Sequence, residues 1–385
     1  MFAYGIFKVI YAPHKAFKEI TQNPKYIGPI LIMILYVAAN MGFVYTVMSK
    51  TYIEQVLPTG SKLDEWTENR TYWTSSANIA ESNDSLEGIY YGNKSIEFSA
   101  VNASGMWMQL DNIGSIDCSD PTGYKNMSFR IKLIQPNATQ VANASLSLLS
   151  GPTDYFYRNL TQRFVSVNNT LWYNLTVPIG PESAMGNPTA NADWSNITGL
   201  RFGFAWSESA NLTVRLDGLF FRGIFKPFTE NGIDYVFRYS LSAFMQFFIQ
   251  WFFFGGLLYV VAKALGAKTL WKPILIVVGF ALVTFFIQTL ISTAAYATLP
   301  VLHYPLEITG GTKDEFAAAY SKILDETWLV SQVTGFVRIA MYFWTIILAG
   351  IAARMLVEFS WVKSLLVAAV AYIVSIVVQA FIFGI

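Results

Sequence analysis

Hydrophobic positions along the chain fall into two regimes. Five stretches are apolar almost without interruption: Ile27 to Met48, Tyr239 to Ala262, Pro273 to Leu302, Thr327 to Ala353 and Ser364 to Ile385. Each can cross a hydrocarbon layer of roughly 30 Å, because a helix rises about 1.5 Å per residue. Hydrocarbon offers the backbone no hydrogen-bond partners, so helix is the expected conformation of all five. Residues 49–238 follow a different pattern. Short runs that alternate or are rich in β-branched and aromatic residues predict strands over Lys94 to Val101, Met106 to Ile113, Ser128 to Ile134, Ala144 to Leu149, Phe164 to Val167, Leu171 to Pro178, Gly199 to Trp206 and Leu212 to Arg222. Clusters of Gly, Pro, Asn and Asp separate them, which predicts an antiparallel sandwich rather than a helical domain.

Charge next to the spans sets an expected orientation, since Lys and Arg in short loops favour the cytoplasmic side. Lys8, Lys15, Lys18 and Lys25 precede the first span, Lys263, Lys268 and Lys272 follow the second, and Arg354 and Lys363 follow the fourth. The loop 303–326 is instead acidic, with Glu307, Asp314, Glu315, Asp325 and Glu326 against Lys313 and Lys322. The amino terminus is therefore expected inside, with residues 49–238, the loop 303–326 and the carboxyl terminus outside. A signal peptide is the rival reading of the first span, with Val37-Ala38-Ala39 as its cleavage-like site; the apolar run continues to Met48, as an anchor would. In the leader, residues 1–26, Phe2, Ile6, Val9 and Ile10 share a helical face, Pro13 ends that helix, and Phe17 and Ile20 continue the apolar contact. It is expected to lie at the membrane interface. Its four lysines either contact anionic headgroups, at about 1 kcal/mol each, or serve orientation alone.

Composition narrows the chemistry. Charged residues make up 13% of the 385, and Lys plus Arg against Asp plus Glu stand at 26 to 25, so no basic field exists to gather nucleic acid. One cysteine, Cys118, and two histidines, His14 and His303, cannot make an internal disulfide or a Cys/His zinc cluster. Twelve N-x-Ser/Thr sequons lie between Asn69 and Thr213 and none elsewhere: Asn69, Asn83, Asn93, Asn102, Asn126, Asn137, Asn143, Asn159, Asn168, Asn174, Asn196 and Asn211. Composition alone would give about three, so they read either as glycan acceptors of a glycoprotein or as the Asn, Ser and Thr of turns and exposed strands. Dense sequons beside a lone cysteine fit a prokaryotic, archaeal-like surface protein better than a disulfide-bearing animal ectodomain. Cys118 reads as a small buried residue.

The segment from Trp172 to Gly223 carries Trp-Tyr-Asn-Leu-Thr-Val-Pro, then Asp-Trp-Ser-Asn-Ile-Thr-Gly-Leu-Arg-Phe, then Val-Arg-Leu-Asp-Gly-Leu-Phe-Phe. These fifty or so residues resemble the last strands of jelly-roll carbohydrate-binding modules. The resemblance implies sugar stacking on a tryptophan face, with Trp107, Trp172, Trp194 and Trp206 as candidates; the alternative for each ring is a place in the sandwich core. The expected fold class is thus a membrane protein: a five-helix transmembrane α bundle with an inserted all-β, jelly-roll-like sandwich as an external domain.

The membrane part carries a second resemblance. The leader reads Ile10-Tyr11-Ala12-Pro13-His14-Lys15-Ala16-Phe17-Lys18-Glu19-Ile20 and Asn23-Pro24-Lys25-Tyr26. Further on come Leu257-Leu258-Tyr259, Lys263-Ala264-Leu265-Gly266, Trp271-Lys272-Pro273, and the stretches Trp344 to Ala349 and Trp361 to Ala368. Together these resemble the Yip family, five-helix integral membrane proteins with a cytoplasmic amino terminus. In eukaryotes the family serves early secretory traffic and contacts Rab-type GTPases; its prokaryotic members have no agreed activity. This chain departs from the family plan, in which a short hairpin joins the first two helices, and it lacks the long polar cytoplasmic region through which GTPases are met. Rab binding is therefore not carried over.

Arg338 is the one charge deep in a span. A midplane arginine costs about 2.5–3.5 kcal/mol on insertion scales, so it should face the bundle and find a partner. No span contains an Asp or Glu, which leaves Gln246, Gln250, Gln288, Gln332, Thr334 and Gln379. These predict an intramembrane polar site of Arg338, Gln246, Gln250 and Gln288, acting either as interhelical glue or as a seat for a lipid phosphate or other anion. Asp111, Asp117 and Asp120 read as a solvated acidic turn, with calcium binding as the alternative. No phosphate-binding glycine loop, serine elbow or zinc-protease motif is present, so no catalytic residue, metal or cofactor is expected. The expectation is a noncatalytic Yip-like protein in membrane organisation or trafficking, or a surface scaffold or receptor. The alternatives are a transporter or lipid-handling protein using Arg338, and a carbohydrate-binding adhesin. Expected partners are membrane lipids, other membrane or surface proteins, and glycans, with no nucleic acid.

Overall fold

The computed structural model describes residues 2–59, 64–119, 121–136, 140–164, 171–186, 189, 191–230 and 232–383, with side chains from Gly5 onward. The chain divides into two compact units. One comprises Met1–Thr51, Pro227–Leu302 and Leu324–Ile385; the other comprises Tyr52–Lys226 and His303–Ile323. The sequons at Asn137 and Asn168, and Asp120, lie outside the described residues.

The first unit is helical: α1 (Phe2–Tyr11), α2 (Pro13–Gln22), α3 (Ile27–Lys50), α4 (Ile233–Ala264), α5 (Trp271–Ala281), α6 (Val283–Ala297), α7 (Lys313–Val357) and α8 (Trp361–Phe383). Five segments are long and apolar enough to cross a membrane: α3, α4, α5 with α6, α7, and α8. The third span, expected as one helix, is broken at Leu282. There the Thr284 hydroxyl donates to the Ala281 carbonyl at 3.3 Å and Phe285 N–H turns to the Leu282 carbonyl at 3.0 Å, which interrupts the ladder. The Thr284 hydroxyl also meets that of Thr345 in α7 at 2.6 Å. Phe247, Trp251 and Phe254 of α4, Ile274 to Val278 of α5, Ala349 and Ala352 of α7 and Ala368 and Tyr372 of α8 form one buried core. Glycines allow the closest approaches: a Cβ on Gly28 of α3 would lie 2.0 Å from the Phe280 ring of α5.

The leader packs on the bundle. Ile6, Val9, Ala16 and Phe17 are buried in this same core, with Ile10 and Ile20 packed against it, because α1 and α2 fold their shared apolar face onto the bundle. Lys8 pairs with Glu19 across the two helices.

The second unit is built on ten strands: β1 (Thr51–Leu57), β2 (Trp73–Ser75), β3 (Asn78–Ser82), β4 (Ser95–Leu110), β5 (Asn126–Gln135), β6 (Asn143–Leu149), β7 (Tyr155–Asn159), β8 (Tyr173–Pro178), β9 (Gly199–Pro227) and β10 (Leu302–Tyr304). Four of the expected strands are two long ones, because β4 and β9 each serve two layers. The first half of β9, 199–205, runs antiparallel between β4 and β6; its second half, 212–222, runs between the other half of β4 and β5. The register shifts between Ala100 and Gly105 of β4, where Asn102 takes a φ of 50°. Such bulges let a strand change sheets. The layers then face each other: the Phe129 ring of β5 lies 4.7 Å from that of Phe202 in the first half of β9. Alternate residues of both layers, among them Ile96, Met108, Phe129, Ile131, Leu146, Phe202 and Val214, fill one core. The result is an antiparallel β-sandwich. Of the strand expected at Phe164 to Val167, Phe164 instead ends a short helix, Thr161–Phe164, and the rest lies outside the described residues.

β1 pairs with β9, so the strands leading into and out of the sandwich are hydrogen-bonded neighbours, and β10 pairs with β1. The acidic segment after the third span is not a solvated loop. A short helix, Leu306–Gly310, and the first turns of α7 occupy it, and its carboxylates meet arginines of the sandwich. Arg222 of β9 donates to Glu54 of β1 at 2.7 and 2.6 Å and to Glu307 at 2.7 and 3.1 Å. Burial alone would lower the pKa of Arg222; the two carboxylates override it and raise it above the ordinary value. Arg130 of β5 donates to Glu315 at 2.5 Å and to the Tyr91 hydroxyl at 2.9 Å, and that hydroxyl donates to Glu315 at 3.0 Å. Burial works to raise the Glu315 carboxyl, yet Arg130 holds it below the usual range. Because 303–323 and 52–226 form one unit, both lie on the same face of the membrane, as two intervening crossings require.

One buried acidic pair remains in the sandwich. Asp217 is fully buried and accepts N–H from Leu86 at 2.7 Å and Gly218 at 2.8 Å; burial still pushes its carboxyl up to about 7. Asp64 is also buried, and burial followed by the nearby Asp217 charge raises it well above the carboxylate range. Arg222→Ala leaves Glu54 and Glu307 without their cation and is expected to destabilise the sandwich by about 3 kcal/mol, read as a lowered denaturation midpoint in tryptophan fluorescence. Raised carboxyl pKa values favour folding while the groups stay protonated, so the contribution of this pair is fully present below about pH 4 and is lost as pH rises through about 7. Asp64→Asn is expected to flatten that decline in thermal melts taken between these limits.

Candidate functional site

Arg338 lies 11 residues past Thr327 in α7, about 16 Å along the helix. Its side chain is exposed on the bundle, and no hydrogen bond or ion pair to it occurs among the described residues. It lines a cavity of about 290 Å³ to which five helices contribute: Tyr36 from α3, Gln246 from α4, Gln288 and Thr289 from α6, Tyr342 from α7 and Gln379 from α8. The Gln379 amide donates to the Gln246 carbonyl at 3.2 Å, while the Gln246 amide faces the Ser242 hydroxyl at 3.4 Å. Thr289 spends its hydroxyl on the Phe285 carbonyl at 2.9 Å. The cavity thus offers one fixed positive charge and several amide and hydroxyl groups, a set suited to an oxyanion.

Of the four residues expected together, Arg338, Gln246 and Gln288 meet in this cavity and Gln250 does not line it. Gln250 is fully buried and donates to the Ser375 hydroxyl of α8 at 2.8 Å, which makes it an interhelical tie. Gln332 is exposed and outside the cavity, and Thr334 returns its hydroxyl to the Val330 carbonyl at 2.8 Å. Sequence reasoning missed Tyr36, Thr289 and Tyr342. Tyr342 stands one turn beyond Arg338, a spacing that places both on one helix face.

The tryptophans of the sandwich take four different places. Trp206 is buried in the core at 4% exposure and presents no face to a sugar. Trp194 stacks on Phe156 with ring centroids 3.7 Å apart. Trp107 is exposed, with the Arg201 guanidinium 4.7 Å from its ring centre, and half-buried Trp172 has Lys132 at 5.8 Å. Nine of the ten described sequon asparagines are exposed and Asn126 is half-buried, which leaves nearly all of them open to an attached group. Asp111 accepts from Thr74 and Gln109, and Asp117 from Ser119, each within its own turn or strand neighbourhood. No metal-ligating cluster occurs among the described residues. Cys118 is buried, and burial pushes its thiol up to about 12, far from a reactive thiolate.

No curated protein matches the chain. Among solved structures, a carbohydrate-binding module of the β-sandwich superfamily described for promiscuous specificity shares 11% identity, over 42% of this chain and 62% of its own, with a TM-score of 0.29. The family 11 carbohydrate-binding module from Clostridium thermocellum, in complex with a β-1,3-1,4-mixed-linked tetrasaccharide, shares 12% identity over 45% of this chain and 97% of its own, with a TM-score of 0.29. An exo-β-agarase shares 11% over 40% and 24%, with a TM-score of 0.32. The chain thus spans less than two thirds of the first of these and about a quarter of the agarase. The Yip1 domain model matches residues 213–382, from the second half of β9 to the end of α8. This region holds four of the five spans and every cavity residue but Tyr36, so the chain is a multi-pass membrane protein whose residues 213–382 match the Yip1 domain.

Proposed function

We propose that this protein is a noncatalytic, Yip-like organiser of the membrane that takes up an anionic ligand at Arg338 and displays its sandwich as a glycosylated module outside the cell. The observation that carries the reading is an arginine at membrane depth, without a protein partner among the described residues, in a cavity lined by amides and hydroxyls. An isolated guanidinium in hydrocarbon is costly, and a phosphate or carboxylate from the bilayer supplies the missing countercharge with bidentate geometry. The short-loop lysines support a cytoplasmic amino terminus, and the exposed sequons support a glycan-bearing outer face.

Arg338→Gln is expected to lower the anionic phospholipid that co-purifies with the protein about tenfold, a change equal to about 1.4 kcal/mol, as read by mass spectrometry of the extract. Unchanged lipid together with a lower melting temperature would make Arg338 structural glue instead. Protease added to sealed, right-side-out cells is expected to remove the sandwich and leave the Lys8 to Lys25 leader intact, as followed by tags at either end. Cleavage of the leader alone would reverse the orientation.

A further inference from the structure

We infer that the anion at Arg338 is the headgroup of a lipid held in inverted order, acid group deep in the bundle and one hydrocarbon chain nearer the membrane surface; this rests on the anion site proposed above. The cavity beside Arg338 is one of three with shared walls. A second, of about 280 Å³, has Gln288 and Arg338 in common with the first, and its other end is formed by Phe43 and Tyr296. Phe43 and Tyr296 also line a third, of about 530 Å³, together with Val44, Val47, Tyr235 and Tyr239. The third falls in the range of ligand sites, about 300–1,000 Å³, and the other two lie just below it. No charged side chain lines the second or third apart from Arg338; the walls run from cationic and amide, through the hydroxyls of Ser292, Ser331 and Thr334, to a third cavity that is mainly aromatic and aliphatic, with Asn40 and Thr51 among its lining. That is the polarity of an acidic amphiphile, not of a free ion or a neutral hydrocarbon.

Depth gives the orientation. The third cavity reaches Thr51 and Phe228, at the span ends where α3 stops and α4 is about to start. On α6, Tyr296 lies eight residues beyond Gln288, so the cationic end sits about 12 Å further from those span ends than the aromatic end. A lipid of the surrounding leaflet has the opposite order. The occupant therefore lies against the bundle in the order opposite to the surrounding leaflet, along walls whose rim includes the exposed Arg338, Tyr235 and Tyr239.

The test uses the full-length protein in phosphatidylcholine vesicles containing phosphatidylglycerol whose acyl chain ends in a photoactivated diazirine. Irradiation is expected to label peptides carrying the half-buried Phe43, Val44 or Val47, and Arg338→Gln to reduce that label about tenfold, while the exposed Phe336 and Ile339 keep theirs. Label confined to Phe336 and Ile339, with Arg338→Gln still losing co-purified lipid, overturns the inverted seat and leaves the anion site standing. Equal labelling of Val44 and Val47 by diazirine phosphatidylcholine, or full competition by inorganic phosphate, overturns it as well. Retention of all co-purified lipid by Arg338→Gln removes the anion site itself.

Discussion

The helical unit is organised around an unmet requirement, the need of one guanidinium for a countercharge in a medium that supplies none. None of the five uninterrupted apolar stretches contains a carboxylate, and the side chains beside Arg338 in its cavity are all uncharged. Gln246, Gln288, Gln379, Tyr36 and Tyr342 come from five helices, and the space left between them is the polar cavity. Other polar groups of the spans join helices directly. Gln250 ties α4 to α8 through Ser375, and Thr284 ties α6 to α7 through Thr345. Interhelical bonds of this kind contribute about 0.6 kcal/mol each, enough to fix register but too little to offset a bare cation.

In the sandwich, ionic groups serve a different end. Arg222 and Arg130 reach beyond their strands to Glu307 and Glu315, so a segment separated from the sandwich by two spans becomes part of the same compact unit. These are bidentate or tyrosine-assisted pairs with limited solvent access, the setting in which an arginine fork binds a carboxylate most firmly. The acidic character of 303–323 therefore reflects pairing more than solvation. Glu307 and Glu315 make these pairs, while Asp314, Asp325 and Glu326 make no ion pair among the described residues.

Much of this was legible in the sequence. Uninterrupted apolar runs located the spans, and Arg338 stood out as their one charge. The break at Leu282 was not legible, since a threonine hydroxyl competing for a carbonyl leaves hydropathy unchanged. The extension of α7 back to Lys313 was hidden because its first turns are acidic and read as loop. Strands β1, β2, β3, β7 and β10 were missed, being short or weakly alternating, and the Asn102 bulge made each half of β4 look complete. At the cavity, glutamines were found by polarity, whereas Tyr36 and Tyr342 were indistinguishable from aromatic packing until five helices brought their edges together. Trp206 was open to two readings from spacing alone, and burial decided for the core.

The pairing of β1 with β9 bears on how such a chain arises. A module whose first and last strands are adjacent spans almost no distance between its ends, and α3 runs into β1 without an intervening residue. It can be spliced into a tight interhelical turn in a single genetic event without altering the number or direction of the crossings.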